Sequence, residues 1–273
     1  MTAQPAPRVY RHMTWEEIAA AARADTPIVI PVGATEQHGR HLPVCTDWVL
    51  PEWIIGEAGR VRDLVVGPFI PFGYRSRPGS GGGQHFPGTV SLRATTFMSV
   101  LEDVLSELKR TGFRNIALYN WHFENAGFVY EPAYLVAEQN PELKIVVIED
   151  VFPEFTEERR RLIWPGEFPG LALEHAAVIE TSLWMHFDPA AVREDRMAPD
   201  SPQRVVNHDV VPIDTRMSTS SGSLSSPVGA SREKGRLIAE WLVERLSGIL
   251  DEEFASGRRS AGARNGEREG SPA

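Results

Sequence analysis

Ile28-Val29-Ile30-Pro31-Val32-Gly33-Ala34-Thr35-Glu36-Gln37-His38-Gly39 is the stretch on which the fold turns. Its first five residues form a continuous apolar run of the kind buried on both faces of a parallel sheet. Leu64-Val65-Val66, Ile116-Ala117-Leu118-Tyr119 and Ile145-Val146-Val147-Ile148 repeat that pattern downstream. Between the second and third runs, Phe97, Leu101, Val104, Leu105 and Leu108 recur at helical spacing, with Thr95 or Thr96 as N-cap and Gly112 as C-terminal stop. A second helix is read from Leu237 to Leu250, and a third, less regular, from Glu174 to Phe187. Strands and helices alternate without a compositional break, which predicts one α/β domain with helices on both faces of a mostly parallel sheet.

The ends read differently. The first dozen residues lack a core pattern, and residues 255–273 carry alanine as their only apolar type among Gly, Ser, Arg and Glu. So little apolar surface cannot offset the entropy of ordering, so 1–254 is the expected domain and 255–273 a disordered tail. Pro202 to Gly229, rich in Pro, Ser and Thr, is expected as a surface connection or lid.

The 273 residues carry 28 Lys and Arg against 37 Asp and Glu, a formal charge of −9. That balance argues against nucleic acid or an anionic membrane as partner and favours a small molecule. One cysteine, Cys45, permits no internal disulfide, which fits the cytoplasm. No run of about 18 apolar residues and no signal-peptide pattern is present, so neither membrane spanning nor secretion is expected.

The chemistry sits where strands end. The first run leads into Glu36-Gln37-His38, a carboxylate and an imidazole two residues apart, which extended backbone turns to one face. The Ile116 run leads into His122-Phe123-Glu124, the same pair reversed. Open α/β sheets gather ligands at the carboxyl ends of their strands, so the two pairs are expected to converge. Asp47 follows a His-Leu-Pro-Val-Cys-Thr run able to fold back as a loop. Glu36, His38, Asp47, His122 and Glu124 make a ligand inventory for two metal ions, with imidazole and carboxylate suiting zinc or manganese and an aspartate able to bridge. Paired ions activate water and polarise a carbonyl, which points to hydrolysis. His41 is a further ligand or a loop histidine, and Cys45 reads as a small buried residue.

The run from Gly79 to Thr89 is rich in glycine, but no Gly-Lys-Ser/Thr follows, so a triphosphate site is rejected. It is either a loop whose backbone approaches a ligand, with Gln84 or His85 reaching in, or a plain structural loop. Glu174-His175 opens the third helix, and His175 there is either an acid–base residue or an ordinary histidine. Glu180 lies five residues beyond, about 140° around a helix from His175.

Taken together, Pro31 to Gly39, Asp47, Gly81-Gly82-Gly83-Gln84-His85-Phe86-Pro87-Gly88-Thr89, His122-Phe123-Glu124-Asn125, Glu174-His175, Glu180-Thr181-Ser182 and Ala230 to Gly235 resemble the creatininase family. The resemblance implies a three-layer α/β/α sandwich of creatininase type, two Zn²⁺ and/or Mn²⁺ ions per subunit, and a homohexamer. It implies that Glu36 and His122 hold one ion, His38 and Glu124 the other, and Asp47 both. Catalytic roles fall to His175, for proton transfer, and to Glu124, with Glu174 and Glu180 in support. Ser80, Gly81, Trp121 and Phe123 are implied substrate contacts.

The implied activity is hydrolysis of a C–N bond in a small cyclic amide, creatinine being the best candidate. Alternatives are a formamide or a cyclic sugar ketone as substrate, or a non-catalytic binder. Some positions depart from the family pattern. Trp121 and Phe123 flank His122 where Gly and Tyr are usual, and two tryptophans that pack on the substrate ring align near Val151 or Phe152 and at Leu171, with Ala172 at an aspartate position. Such changes alter which ring fits and leave the metal ligands intact.

Overall fold

The computed structural model describes residues 6–80, 83–164, 166–200, 208–211 and 219–263. Its centre is a five-stranded sheet of β1 (Arg8–Val9), β2 (Ile28–Val32), β3 (Val65–Val66), β4 (Asn115–Asn120) and β5 (Lys144–Ile148). The strands run parallel in the order β1-β3-β2-β4-β5. The helices are α1 (Trp15–Arg23), α2 (Thr46–Val61), α3 (Ala94–Thr111), α4 (Ala126–Gln139), α5 (Glu157–Ile163), α6 (Val178–Phe187) and α7 (Arg232–Ala263). Among the described residues no helix is long and apolar enough to cross a membrane.

Alternate residues of each strand feed opposite cores, as the two-residue period requires. Ile28, Ile30 and Val32 join Ile116 and Leu118 in the core under α1, α3 and α4, with Phe97, Leu101 and Leu105 of α3. Val29, Ala117 and Tyr119 point the other way, into the core of α2, α6 and α7 that contains Leu50, Ile179, Leu183, Ile238 and Leu242. The result is the three-layer sandwich expected from the alternating runs.

Some local details differ from expectation. Arg8–Val9 is not tail: it forms the edge strand, registered on β3 through Arg8↔Val65, and two residues are too short to leave an apolar run. Helix α3 begins at Ala94 with Arg93 at its N-cap, so neither Thr95 nor Thr96 caps it, while Gly112 does close it in the left-handed conformation at φ 111°. Helix α7 runs through Ala263, past Phe254, and residues 264–273 lie outside the described set. Within the 202–229 stretch, 202–207 and 212–218 lie outside it too.

The segment from Glu174 to Phe187 is not one helix. Only Val178–Phe187 is α-helical, and the chain turns at Ala176, whose φ is +51°. Left-handed backbone at a non-glycine residue costs about 1–3 kcal/mol and persists only where its surroundings impose it. Here the Glu180 carboxylate accepts the Ala176 N–H at 2.7 Å, and Glu174 accepts the Ile179 N–H at 3.0 Å. Both acids brace the turn that swings His175 out of helical register.

Candidate active site

Strands β2 and β4 are neighbours, registered from Ile28↔Ile116 to Val32↔Asn120, so the loops that leave them start side by side. Asn125 ties these loops together. Its amide nitrogen donates to Gly33 O at 3.0 Å, and its oxygen accepts the Tyr74 N–H at 2.8 Å. Asp47 arrives in the first turn of α2, where the helix dipole favours a carboxylate. The convergence expected of the two reversed pairs is therefore built by strand register.

Each imidazole is held by its outer nitrogen and aims the inner one at carboxylates. His38 Nδ1 bonds the Glu36 carbonyl at 3.0 Å, leaving Nε2 at 3.1 Å from Asp47 Oδ1 and 3.5 Å from Glu180 Oε2. His122 Nε2 bonds the Tyr74 carbonyl at 3.0 Å, leaving Nδ1 at 3.3 Å from Asp47 Oδ2 and 3.4 Å from Glu36 Oε2. A backbone carbonyl on the distal nitrogen is the usual way to fix a ligating histidine's tautomer. Two groups of potential ligand atoms, each within 4.8 Å, result: Glu36, Asp47 and His122, and His38, His175 and Glu180.

The electrostatics of both groups call for positive charge. Burial, the largest influence, opposes a charged His38, yet Asp47 and Glu180 outweigh it and hold its pKa well above the ordinary value. His122 is pushed up to about 10, because Asp47, Glu124 and Glu36 together overcome its burial. Asp47 lies below the usual carboxylate range: burial raises its pKa, and His38 and His122 more than reverse that. His38 Nε2 and Asp47 Oδ2 are buried without a hydrogen-bond partner. Leaving such groups unpaired costs about 1–3 kcal/mol each, and a coordinated cation relieves it. The donor set thus fits two divalent ions, with Asp47 offering one oxygen to each side.

Of the two glutamates, Glu180 falls within a candidate ligand group and Glu124, expected as a ligand, falls outside both. Glu124 belongs to neither ligand group; its Oε2 lies 3.6 Å from His122 Nε2, on that ring's outer side, and its Oε1 accepts a hydrogen bond from Ser80 Oγ at 2.5 Å. Glu180 stands beside His38 instead, braced by Trp121 Nε1 at 3.1 Å. Helical spacing hid this, because the turn at Ala176 detaches His175 from the helix that carries Glu180. Glu174 sits behind, bonded by Trp164 Nε1 at 2.7 Å, and burial pushes its pKa up to about 7. His175 packs on His38 at 4.3 Å between ring centroids and turns Nδ1 to within 4.0 Å of Glu36 Oε2.

A cavity opens over these groups, lined also by Ser76, Ser80, Trp121, Phe123, Phe152, Leu171, Ala172 and Leu224. Ser80, Trp121 and Phe123, expected as substrate contacts, thus line this cavity, and Gly81 lies outside the described residues. Phe123 and Phe152 meet edge to face at 6.5 Å and form one apolar wall. Gln84 and His85 do not reach in: Gln84 bonds Ser91 Oγ at 2.8 Å and His85 stacks on Phe86. What the glycine-rich loop contributes is close approach. A Cβ on Gly83 would lie 2.1 Å from Glu36 Oε1, and Ser76 Oγ donates to that same oxygen. His41 stays behind His38, bonded to Thr181 Oγ1 at 2.9 Å and outside both ligand groups, and burial lowers its pKa to about 4. Cys45 is the N-cap of α2.

Fold and site together define a class: α/β/α enzymes whose carboxylates and imidazoles converge at the strand ends of a parallel sheet. The family model Creatininase, described as creatinine amidohydrolase, matches residues 11–250, and the chain belongs to the creatininase family of hydrolases. It is 36% identical over 250 residues to creatinine amidohydrolase of Pseudomonas putida, covering 89% of this chain and 95% of that protein. A solved mutant creatininase complexed with creatine superimposes with a TM-score of 0.84 at 35% identity, over 90% of this chain and 98% of that one. A mutant creatininase of Zn-Zn type gives 0.85 at 35% identity, over 92% and 99%.

Proposed function

We propose that this protein hydrolyses the ring amide of creatinine to give creatine, using two divalent ions. The observation that carries the reading is Asp47, whose two oxygens face the inner nitrogens of His38 and His122 at 3.1 and 3.3 Å. The Pseudomonas relative named creatinine amidohydrolase and the creatine-complexed neighbour support the substrate. Glu36, Asp47 and His122 would hold one ion, and His38 and Glu180, joined by the other oxygen of Asp47, the second, while His175 of that same group is read as the proton donor instead. The Zn-Zn neighbour and the mixed imidazole–carboxylate donors support zinc, with manganese suited to the same set. Bound there, the ions supply Lewis acidity, favouring loss of a proton from water at neutral pH and polarising the scissile carbonyl.

The chain's own groups do the rest. Phe123, Phe152 and Leu171 offer apolar faces to a flat ring and keep bulk water from it. Glu124, steadied by Ser80 and lining the same cavity, would take the proton from the attacking water. His175, at the cavity edge with its Nδ1 turned inward, gives a proton to the leaving ring nitrogen. No lysine or arginine lines the cavity among the described residues, so a carboxylate-bearing substrate has no counter-charge while a neutral or guanidine-like ring is tolerated. The same reading takes the enzyme as a cytoplasmic homo-oligomer, a hexamer by family resemblance. Its single free cysteine is consistent with the first, and the second rests on the family resemblance alone.

The test is turnover of creatinine by zinc-loaded protein, with hydantoins and formamides at matched concentration. Creatine is the expected product; ring opening of another substrate with creatinine untouched would replace this reading.

A further inference from the structure

Gln37 lies between Glu36 and His38 in sequence, and its side chain reaches His175. We propose that Gln37 is the positioning residue of His175, holding the ring by one nitrogen so that the other faces the cavity, and that residues 219–225 hold Gln37 in place. This rests on the reading of His175 as proton donor.

The geometry is specific. The main-chain oxygen of Gln37 lies 2.9 Å from His175 Nε2, and the side-chain nitrogen of the same residue lies 3.0 Å from that atom. The amide is not free to flip, because its Oε1 accepts the Gly39 N–H at 3.0 Å while its Nε2 donates to Gly222 O at 2.9 Å. One residue thus presents both an acceptor and a donor to one ring nitrogen. When His175 Nε2 carries hydrogen the carbonyl receives it, and when Nε2 is bare the amide donates to it. In either tautomer Nε2 therefore finds a partner on Gln37, and the ring held there keeps Nδ1 toward the cavity.

The strap behind Gln37 is itself fixed. Gly222 has a φ of +91°, its N–H is taken by Thr219 Oγ1 at 3.0 Å, and the Leu224 N–H donates to His175 O at 3.1 Å. A Cβ on Gly222 would fall 2.0 Å from Gln37 Oε1. Gly222→Ala therefore displaces the amide from behind without altering any ligand of the cation groups.

Two variants test the proposal. Gln37→Met keeps the length and removes both side-chain partners; Gly222→Ala pushes the amide aside and serves where Gln37→Met fails to fold. Each is expected to lower kcat for creatinine by about 10- to 100-fold, with KM changed less than about threefold and zinc per chain unchanged. In a His175→Ala background, Gln37→Met is expected to change the residual kcat by less than about twofold. Crystal structures of zinc-loaded Gln37→Met are expected to show the His175 ring rotated or in two conformers. An equal drop in both backgrounds, loss of zinc, or an unmoved ring with undiminished kcat would overturn the proposal. A fully active His175→Ala overturns the proton-donor reading instead, and the ring position in Gln37→Met then decides the orienting claim by itself.

Discussion

Asp47 splits its carboxylate between two imidazoles, Oδ1 at 3.1 Å from His38 Nε2 and Oδ2 at 3.3 Å from His122 Nδ1. A side chain in that position can offer one oxygen to each of two cations. Asp47→Asn keeps the shape but loses the charge and one acceptor. It is expected to bind at most one zinc per chain and to lose at least about a thousandfold in kcat. Elemental analysis beside a creatinine assay checks it; two zinc ions retained would remove Asp47 from the shared position.

Gly83→Ala probes the glycine-rich loop. The added Cβ would stand 2.1 Å from Glu36 Oε1, the far end of a flexible side chain, so the fold can yield while the ligand cannot stay in place. Zinc affinity is expected to fall about 10- to 100-fold with little change in melting temperature. Competition with a chromogenic chelator measures it, and wild-type affinity would mean that Glu36 is no ligand.

The reversed pairs Glu36/His38 and His122/Glu124 were legible because strands β2 and β4 are long apolar runs whose adjacency follows from parallel α/β topology. Helix α3 was legible for the same reason, its stripe being regular. Helices α2 and α4 were not, since each carries an internal proline, Pro51 and Pro132, that interrupts the helical pattern. The place of Glu180 beside His38 was hidden more deeply. It depends on the left-handed turn at Ala176, imposed by hydrogen bonds to Glu174 and Glu180 that no spacing rule contains. Gln37 carried no signal beyond its place in the motif, because its contacts with His175 and Gly222 reach far along the chain.

Removal of metal should make stability fall with rising pH. The folded pKa of His122 is about 10, above the ordinary histidine value near 6.5, so the folded apoprotein binds more protons than the unfolded chain between the two. That contribution is fully present below about 6.5 and is lost as pH rises through about 10. Glu174, raised to about 7, acts in the same direction over a lower window, from the ordinary glutamate value up to about 7. The melting temperature of chelator-treated protein is expected to decline from pH 6 to 10, while zinc, taking the protons' place, flattens the curve. A melting temperature that rises over this range without metal would contradict the assignment of charge at the site.

Phe123 is 45% exposed at the cavity rim and meets Phe152 edge to face, so its removal spares the core. An aromatic contact of this kind contributes about 0.5–1.5 kcal/mol, and Phe123→Ala is expected to raise KM for creatinine about 2- to 10-fold with kcat nearly unchanged. A fall in kcat at constant KM would instead place Phe123 among the groups that act in the transition state.

The central claim is that the carboxylate–imidazole cluster around Asp47 binds two metal ions and opens the creatinine ring. Its most direct measurement is a titration of metal-free protein with zinc, following bound metal per chain and creatine formed from creatinine in the same samples. The account predicts that creatine formation appears as zinc fills the sites and reaches its plateau at two ions per chain. Saturation at two zinc ions with no creatine formed, or turnover indifferent to zinc, would contradict it.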